Sequence, residues 1–355
     1  MTKRLETFDF LRGIFIFFAF LQHYSFYMNH IWVGYYDRFY FGKLAGNIQA
    51  GLGPLPIDNI LTWMVVFIVP WTIQVYLALA TFNLGLNSHK LSKEKLASYN
   101  RKYLALFLYF TLEKFIIGRN IGEILSPNPL QIWMIALALL ANGYFYFGVR
   151  VTSLFFVIAG TAQFYTPLNS WTRSFEEVLH NIHPEFSLEI RPDIFFLGAL
   201  AGFLIGKYHH KIKDEFILLI TVLSLFAIIG VNQFTPPFPY DVNNVFFDEY
   251  AWCYNIFGLA SIVLTIILII SASLFLERKN FGVKLPGINQ VGVHSLILFV
   301  FHRIFFIYLY LPVRLIAASL GIFPRIENTF WGNCIPILIY FGIFGIYRRL
   351  TYKKS

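Results

Sequence analysis

Four ionisable side chains sit on the first apolar stretch, KRLETFDFLRGIFIFFAFLQHYSFYMNHIW: Asp9, Arg12, His23 and His30. A charge in hydrocarbon costs several kcal/mol unless it is paired or solvated, so such residues mark polar paths through a bilayer. Arg12 and His23 are eleven residues apart, and eleven helical steps of 100° come within about 20° of whole turns. His30, seven residues on, returns to the same face. One stripe would then carry a guanidinium near a membrane surface, an imidazole about 16 Å deeper and a second about 10 Å beyond that. A guanidinium grips phosphate oxygens through paired, charge-assisted hydrogen bonds. A neutral imidazole near pH 7 takes a proton from a hydroxyl or an amine. Asp9, three residues before Arg12, is placed to hold it; the plainer use of that pair is an ion pair where the helix enters the interface.

Two later stretches carry further groups. In NQVGVHSLILFVFHRIFFIYLY stand His294, Ser295, His302 and Arg303. A helix starting near Gly292 puts His302 about 15 Å in, close to the depth of His23. Two imidazoles at one depth on different helices can meet in an interior cavity, although a lone intramembrane histidine is often a satisfied core group. Glu113 and Lys114 lie near mid-depth of another stretch, and adjacent helical residues do not face each other. Glu113 buried without a cation would be protonated. It either fixes the bundle by interhelical hydrogen bonding or orients a catalytic imidazole.

The elements that must hold these residues are set by composition. Of 355 residues, 57% are hydrophobic, 19% aromatic and 13% charged, and the mean hydropathy is +0.61. Soluble domains are close to 25% charged. The expected fold is an all-α integral membrane protein, a polytopic bundle of about ten transmembrane helices with both termini cytoplasmic. Runs long enough to span fall near 9–33, 58–86, 103–118, 130–148, 149–165, 193–209, 214–233, 251–276, 290–312 and 330–347. The third and fifth are short, and a break at 148–151 separates the fourth from the fifth. Alternating across these spans, 18 Lys and Arg fall on the N-terminal side and 7 on the other, with Arg12, Lys114 and Arg303 inside spans. That asymmetry places the N-terminus in the cytoplasm. The net charge of +9 therefore reads as orientation and not as nucleic-acid binding. No small-residue cleavage site follows a short apolar core, so the first span should remain in the mature protein. Cys253 and Cys334 lie in or beside apolar segments and make no disulfide framework or metal spacing. With no internal repeat and no low-complexity linker, residues 1–355 are treated as one domain, expected in a bacterial cytoplasmic membrane.

Two expected outer segments stand out. In 170–183, SWTRSFEEVLHNIH, the apolar residues Trp171, Phe175, Val178, Leu179 and Ile182 share one face, as in a helix lying in the interface. That amphipathicity also accounts for Glu176, His180 and His183 without a metal, and none is expected. The loop 234–250, FTPPFPYDVNNVFFDEY, combines aromatics with Asp241, Asp248 and Glu249 and has no Lys or Arg. Such a loop anchors spans in the headgroup layer or holds sugar rings. His209 and His210 fall in a basic loop and read as surface residues.

The opening RLETFDFLRG with His23 beyond it resembles the first-span signature of the transmembrane acyltransferase superfamily, the group of acyltransferase-3 and heparan-alpha-glucosaminide N-acetyltransferase-like proteins. GVHSLILFVFH resembles its second signature: a Gly, a Ser-Leu pair, then a His seven residues after the Ser. IVPWTIQVYLALA, YLALFLYFTLEKFIIG and RPDIFFLGALAGFLIGK resemble, in order, the second, third and sixth spans of the glucosaminide branch. The resemblance implies transfer of an acyl group, usually acetyl, from cytoplasmic acyl-CoA to a sugar hydroxyl or amine of a glycan or glycolipid on the far side. Asp9, Arg12 and His23 match functional positions of the first motif. In the glucosaminide branch an Asn stands at the position of His23, and a later His before a Trp does the chemistry. His30, in HIW, is the counterpart here at shorter spacing, so the base is either His23 or His30.

On that reading the anionic end of acyl-CoA (acetyl-CoA as donor, no metal) stays near Arg12 while the thioester arm reaches the midplane. Transfer proceeds by general-base catalysis or through an acyl-imidazole. His302, Ser295 or Glu113 would polarise the thioester carbonyl or orient the base. Buried His, Glu, Lys and Arg are also the equipment of proton-coupled transporters of small polar substrates, the alternative reading, against which stands the lack of an inverted repeat.

Overall fold

The computed structural model describes residues 5–29, 59–116, 128–164, 195–231, 256–310 and 330–352, with single residues at 181, 313, 316 and 320. Among them regular structure is helical and there is no strand. The longer helices, in chain order, are α1 (Glu6–Asn29), α2 (Asn59–Leu86), α3 (Lys93–Ile116), α4 (Pro129–Thr161), α5 (Phe196–Tyr208), α6 (Asp214–Val231), α7 (Ile256–Arg278), α8 (Pro286–Val293), α9 (Ser295–Ile304) and α10 (Phe330–Tyr352). Short 3-10 turns follow α2, α4 and α5, and a π turn, Phe305–Tyr310, follows α9. Three described stretches are long and apolar enough to cross a membrane: Leu130–Thr161, Asp214–Val231 and Ile256–Arg278. His30, the 170–183 segment apart from Asn181, the 234–250 loop and Cys253 lie outside the described residues.

Local chemistry accounts for the helix ends. α4 starts with a capping box: the Asn128 side chain accepts from the Gln131 N–H at 2.9 Å and the Gln131 side chain accepts from the Asn128 N–H at 3.0 Å, with Pro129 in the first turn. Inside α4, Gly148 takes φ 74°, a left-handed region open to glycine. A Cβ on Gly143 would lie 3.0 Å from the Thr152 hydroxyl, nine residues on. In a straight helix those residues stand about 13 Å apart along the axis, so the chain bends back sharply. The expected break at 148–151 is where the bend occurs. The 290–312 stretch is not the single helix expected from Gly292. His294 adopts φ −105°, ψ 13° and ends α8, and a new helix starts at Ser295. His302 is thus about 10 Å from the start of its own helix and not 15 Å.

The chain forms two compact units. The first comprises residues 1–72, 238–247 and 280–355; the second, 73–237 and 248–279. In the first, α1 packs against α8, α9 and α10. In the second, α3 packs on α4, α4 on α5, α5 on α7 and α6 on α7, while α2 meets α5 through glycine. Side chains at Gly85, Gly202 and Gly206 would overlap the carbonyl oxygens of Phe203, Ala78 and Phe82 respectively. Small residues of this kind let membrane helices approach closely.

The second unit is apolar outside and polar inside along α3. Leu104, Leu108, Leu112 and Phe115 form one stripe and are 55–67% exposed, while Glu113 and Lys114 are 2% and 4% exposed. On α6, Phe216, Leu219, Leu223 and Phe226 are exposed and Ser224 is buried. A helix in water shows the opposite pattern, and continuous apolar surface of this extent suits hydrocarbon.

Candidate functional site

In the first unit the two motif-bearing stretches come together. Asp9 and Arg12 lie in the first turns of α1, and Arg12 Nη1 donates to Asp9 Oδ1 at 3.1 Å. Both side chains are largely buried, at 7% and 16% exposure. A low-dielectric setting strengthens such a pair, and acidic residues in a first helical turn complement the helix dipole. α8 sits directly against this segment. A Cβ on Gly292 would overlap the Asp9 carbonyl oxygen and stand 2.9 Å from the Gly13 nitrogen; a Cβ on Gly13 would overlap the Ile288 carbonyl oxygen. The two glycines allow backbone-to-backbone contact beside the ion pair.

Polar contacts fasten the same end. The Val283 N–H donates to the Thr7 hydroxyl at 3.2 Å, Asn289 Nδ2 donates to the Glu6 carbonyl at 2.8 Å, and Lys284 pairs with Glu6 at 2.7 Å. Arg348 of α10 donates to the Gln290 side chain. Ser295, the first residue of α9, is buried.

His302 is 1% exposed. Its ring stacks on Phe20 of α1, with centroids 4.8 Å apart and planes 19° apart, and it also touches Phe299 and Phe306. Its Nδ1 bonds the Phe299 carbonyl. A carbonyl only accepts, so Nδ1 carries the proton and Nε2 is the basic nitrogen. Tyr340 of α10 closes the same cluster: its ring is 5.7 Å from Phe20 and its hydroxyl donates to the Leu298 carbonyl at 2.8 Å. His302 therefore sits in an aromatic box that ties α9 and α10 to α1 at Phe20. His23 follows Phe20 by three residues on α1, about 4.5 Å along the axis; its side chain lies outside the described part.

Asp9, Arg12, Ser295 and His302 thus belong to one unit, and Glu113 to the other. Gly13, Gly292, Phe20 and Tyr340, which bring the motifs together, carry no chemical signal in the sequence beyond the two glycines sitting inside the motif stretches. The second unit has a polar end of its own. Lys207 Nζ donates to the Tyr144 hydroxyl at 2.8 Å and lies 3.5 Å from the Ser88 hydroxyl. Asn100 and Asn142 exchange side-chain hydrogen bonds at 3.1 and 2.9 Å. Arg278 donates to the Ile212 carbonyl at 2.7 Å, to Asp214 at 2.9 Å and to the His209 carbonyl, and Lys279 pairs with Asp214 at 3.0 Å. His209 is held in this loop, its Nδ1 2.8 Å from the Gly206 carbonyl, while His210 is exposed. Among the described residues no group of His, Cys, Asp and Glu is arranged to hold a metal ion; Glu176, His180 and His183 lie outside them.

Comparison of the chain with protein-family models, curated proteins and solved structures finds no match.

Proposed function

We propose that the protein is a multi-pass membrane enzyme that transfers an acyl group, acetyl in the simplest case, from cytoplasmic acyl-CoA to a sugar hydroxyl or amine on the far side. The observation that carries the reading is the meeting of the two motif stretches, which touch at residues 283 positions apart, with the buried Asp9–Arg12 pair at the contact. Arg12, steadied by Asp9, grips the anionic end of the donor. His23 or His30 serves as the base. His302 is a positioning residue: it holds the face of α1 one turn from His23. Ten spans with cytoplasmic termini fit the loops that end up together. In the first unit the N-terminal turn, residues 283–290 and Arg348 are joined, and in the second Ser88, Tyr144 and Lys207 are joined. The alternation assigns these segments to the cytoplasm, except Tyr144, which falls four residues inside the cytoplasmic end of the 130–148 span.

The test is incubation of the purified protein in lipid nanodiscs with labelled acetyl-CoA and a glycan extract. Label should move to glycan with release of free CoA. Arg12→Gln should raise KM for acetyl-CoA about tenfold or more, the size of one charge-assisted contact. His23→Ala or His30→Ala, whichever is the base, should lower kcat at least 100-fold. His302→Phe should leave KM for acetyl-CoA unchanged. Substrate counterflow in proteoliposomes with no acetyl-CoA consumption would overturn the proposal in favour of a transporter.

A further inference from the structure

The second unit carries a partly open, apolar cavity of about 430 Å³ between α5, α6 and α7. Leu197, Leu204 and Ile212 form one side, Ile220 the next, and Val263 and Leu274 the third. From Val263 to Leu274 the groove runs about 16 Å along α7, the reach of most of a fatty-acyl chain. Ser271 contributes the one polar side chain in the lining, and its hydroxyl is already engaged by the Thr221 hydroxyl at 2.8 Å and the Leu268 carbonyl at 3.2 Å. Nothing in the lining asks for water or a polar ligand. Exposed Phe216, Leu219, Leu223 and Phe226 on neighbouring α6 put the groove's surroundings in hydrocarbon.

One end of the groove is different. Ile212 lies between Lys211 and Lys213, both exposed. Neither pairs with a carboxylate among the described residues; Lys211 Nζ stands 5.9 Å from the Tyr208 ring centroid. Arg278 fixes this turn through the Ile212 and His209 carbonyls, and Asp214 is shared between Arg278 and Lys279. Asp214 is thus spent on other cations, and Lys211, Lys213, Arg278 and Lys279 outnumber Asp214, Glu215 and Glu277, so the local charge is positive. Lysines beside the end of a membrane-embedded apolar slot meet lipid phosphates at the bilayer surface.

We infer that this groove is a binding site for an anionic phospholipid, with one acyl chain along α5 and α7 and the headgroup phosphate on Lys211 and Lys213. The site is independent of the acyl-transfer reading, because it uses no residue of the first unit.

Native mass spectrometry of the purified protein, titrated with dioleoyl phosphatidylglycerol and separately with dioleoyl phosphatidylcholine, tests it. One phosphatidylglycerol should be retained per chain, favoured about 25-fold, at about fivefold per lysine. The double variant Lys211→Gln/Lys213→Gln, altered only at exposed positions, should bind both lipids alike. Ala201→Phe, which fills the groove, should lose both. Equal retention of the two lipids by the unaltered protein, or a preference that survives the lysine variant, overturns the inference. So does displacement of phosphatidylglycerol by inorganic phosphate alone, which would make the turn a site for free anions.

Discussion

In the first unit α1 and α8 meet backbone to backbone at Gly13 and Gly292, beside the Asp9–Arg12 pair. In the second, α2 and α5 meet in the same way at Gly85, Gly202 and Gly206, with apolar groups and Thr81 around the contact. Close glycine-mediated packing is therefore a general device of this chain and says nothing about chemistry. What separates the two places is the charge that the packing encloses. In the first unit the tight contact immobilises an ion pair; in the second, a cluster of polar bonds stands around Lys207 and Arg278, and the groove between α5, α6 and α7 is lined by apolar side chains apart from Ser271. Immobilised charge suits recognition of a charged ligand, since less side-chain entropy is lost on binding.

Five substitutions sharpen or break that comparison. The largest effect is expected where backbones touch. Gly292→Leu and Gly202→Leu should each destabilise by about 3 kcal/mol or more, beyond ordinary overpacking because the clash is with backbone. Thermal unfolding in detergent followed by size exclusion measures it, and a benign result at either glycine would show that the contact there is not tight. Next comes Tyr340→Phe, which removes the hydroxyl that donates to the buried Leu298 carbonyl and should cost about 1–1.5 kcal/mol. It should loosen the aromatic box without touching Asp9 or Arg12, so acetyl-CoA binding is expected to hold. In the second unit, Arg278→Gln removes several bonds of a guanidinium that is 25% exposed. A loss of about 1 kcal/mol is expected, together with faster hydrogen exchange in 209–214. Smallest is Lys284→Ala: the Glu6 pair is 67% exposed on the lysine side, so less than about 1 kcal/mol should be lost, and 0.5 M salt should erase the difference. A large effect there would mean that the first unit depends on surface charge and not on its glycine contact.

Part of this was legible in the chain. The apolar runs predict helices where helices are found, because span length and hydropathy are local properties. The Gly148 break is legible in YFYFGVRV for the same reason: glycine alone enters left-handed space without strain. The Asp9–Arg12 pair follows from three-residue spacing on a helix. The interruption at His294 was not legible, since the apolar run 290–312 reads as one span with a helix starting near Gly292. Nor was the setting of His302. Depth along a helix can be counted from sequence, but rotation against a partner helix cannot, and rotation is what sets the ring against Phe20.

The amino-acid sequence by itself determined the helical class, the positions of the apolar stretches and the pairing of residues one turn apart, because each depends on neighbours within a few positions. Only the tertiary structure decided that Gly292 lies on Asp9, that an aromatic box encloses His302, and that α5, α6 and α7 leave a groove ending at Lys211 and Lys213. Those facts depend on how side chains from distant stretches fill shared space, and a periodic apolar pattern is compatible with many such packings.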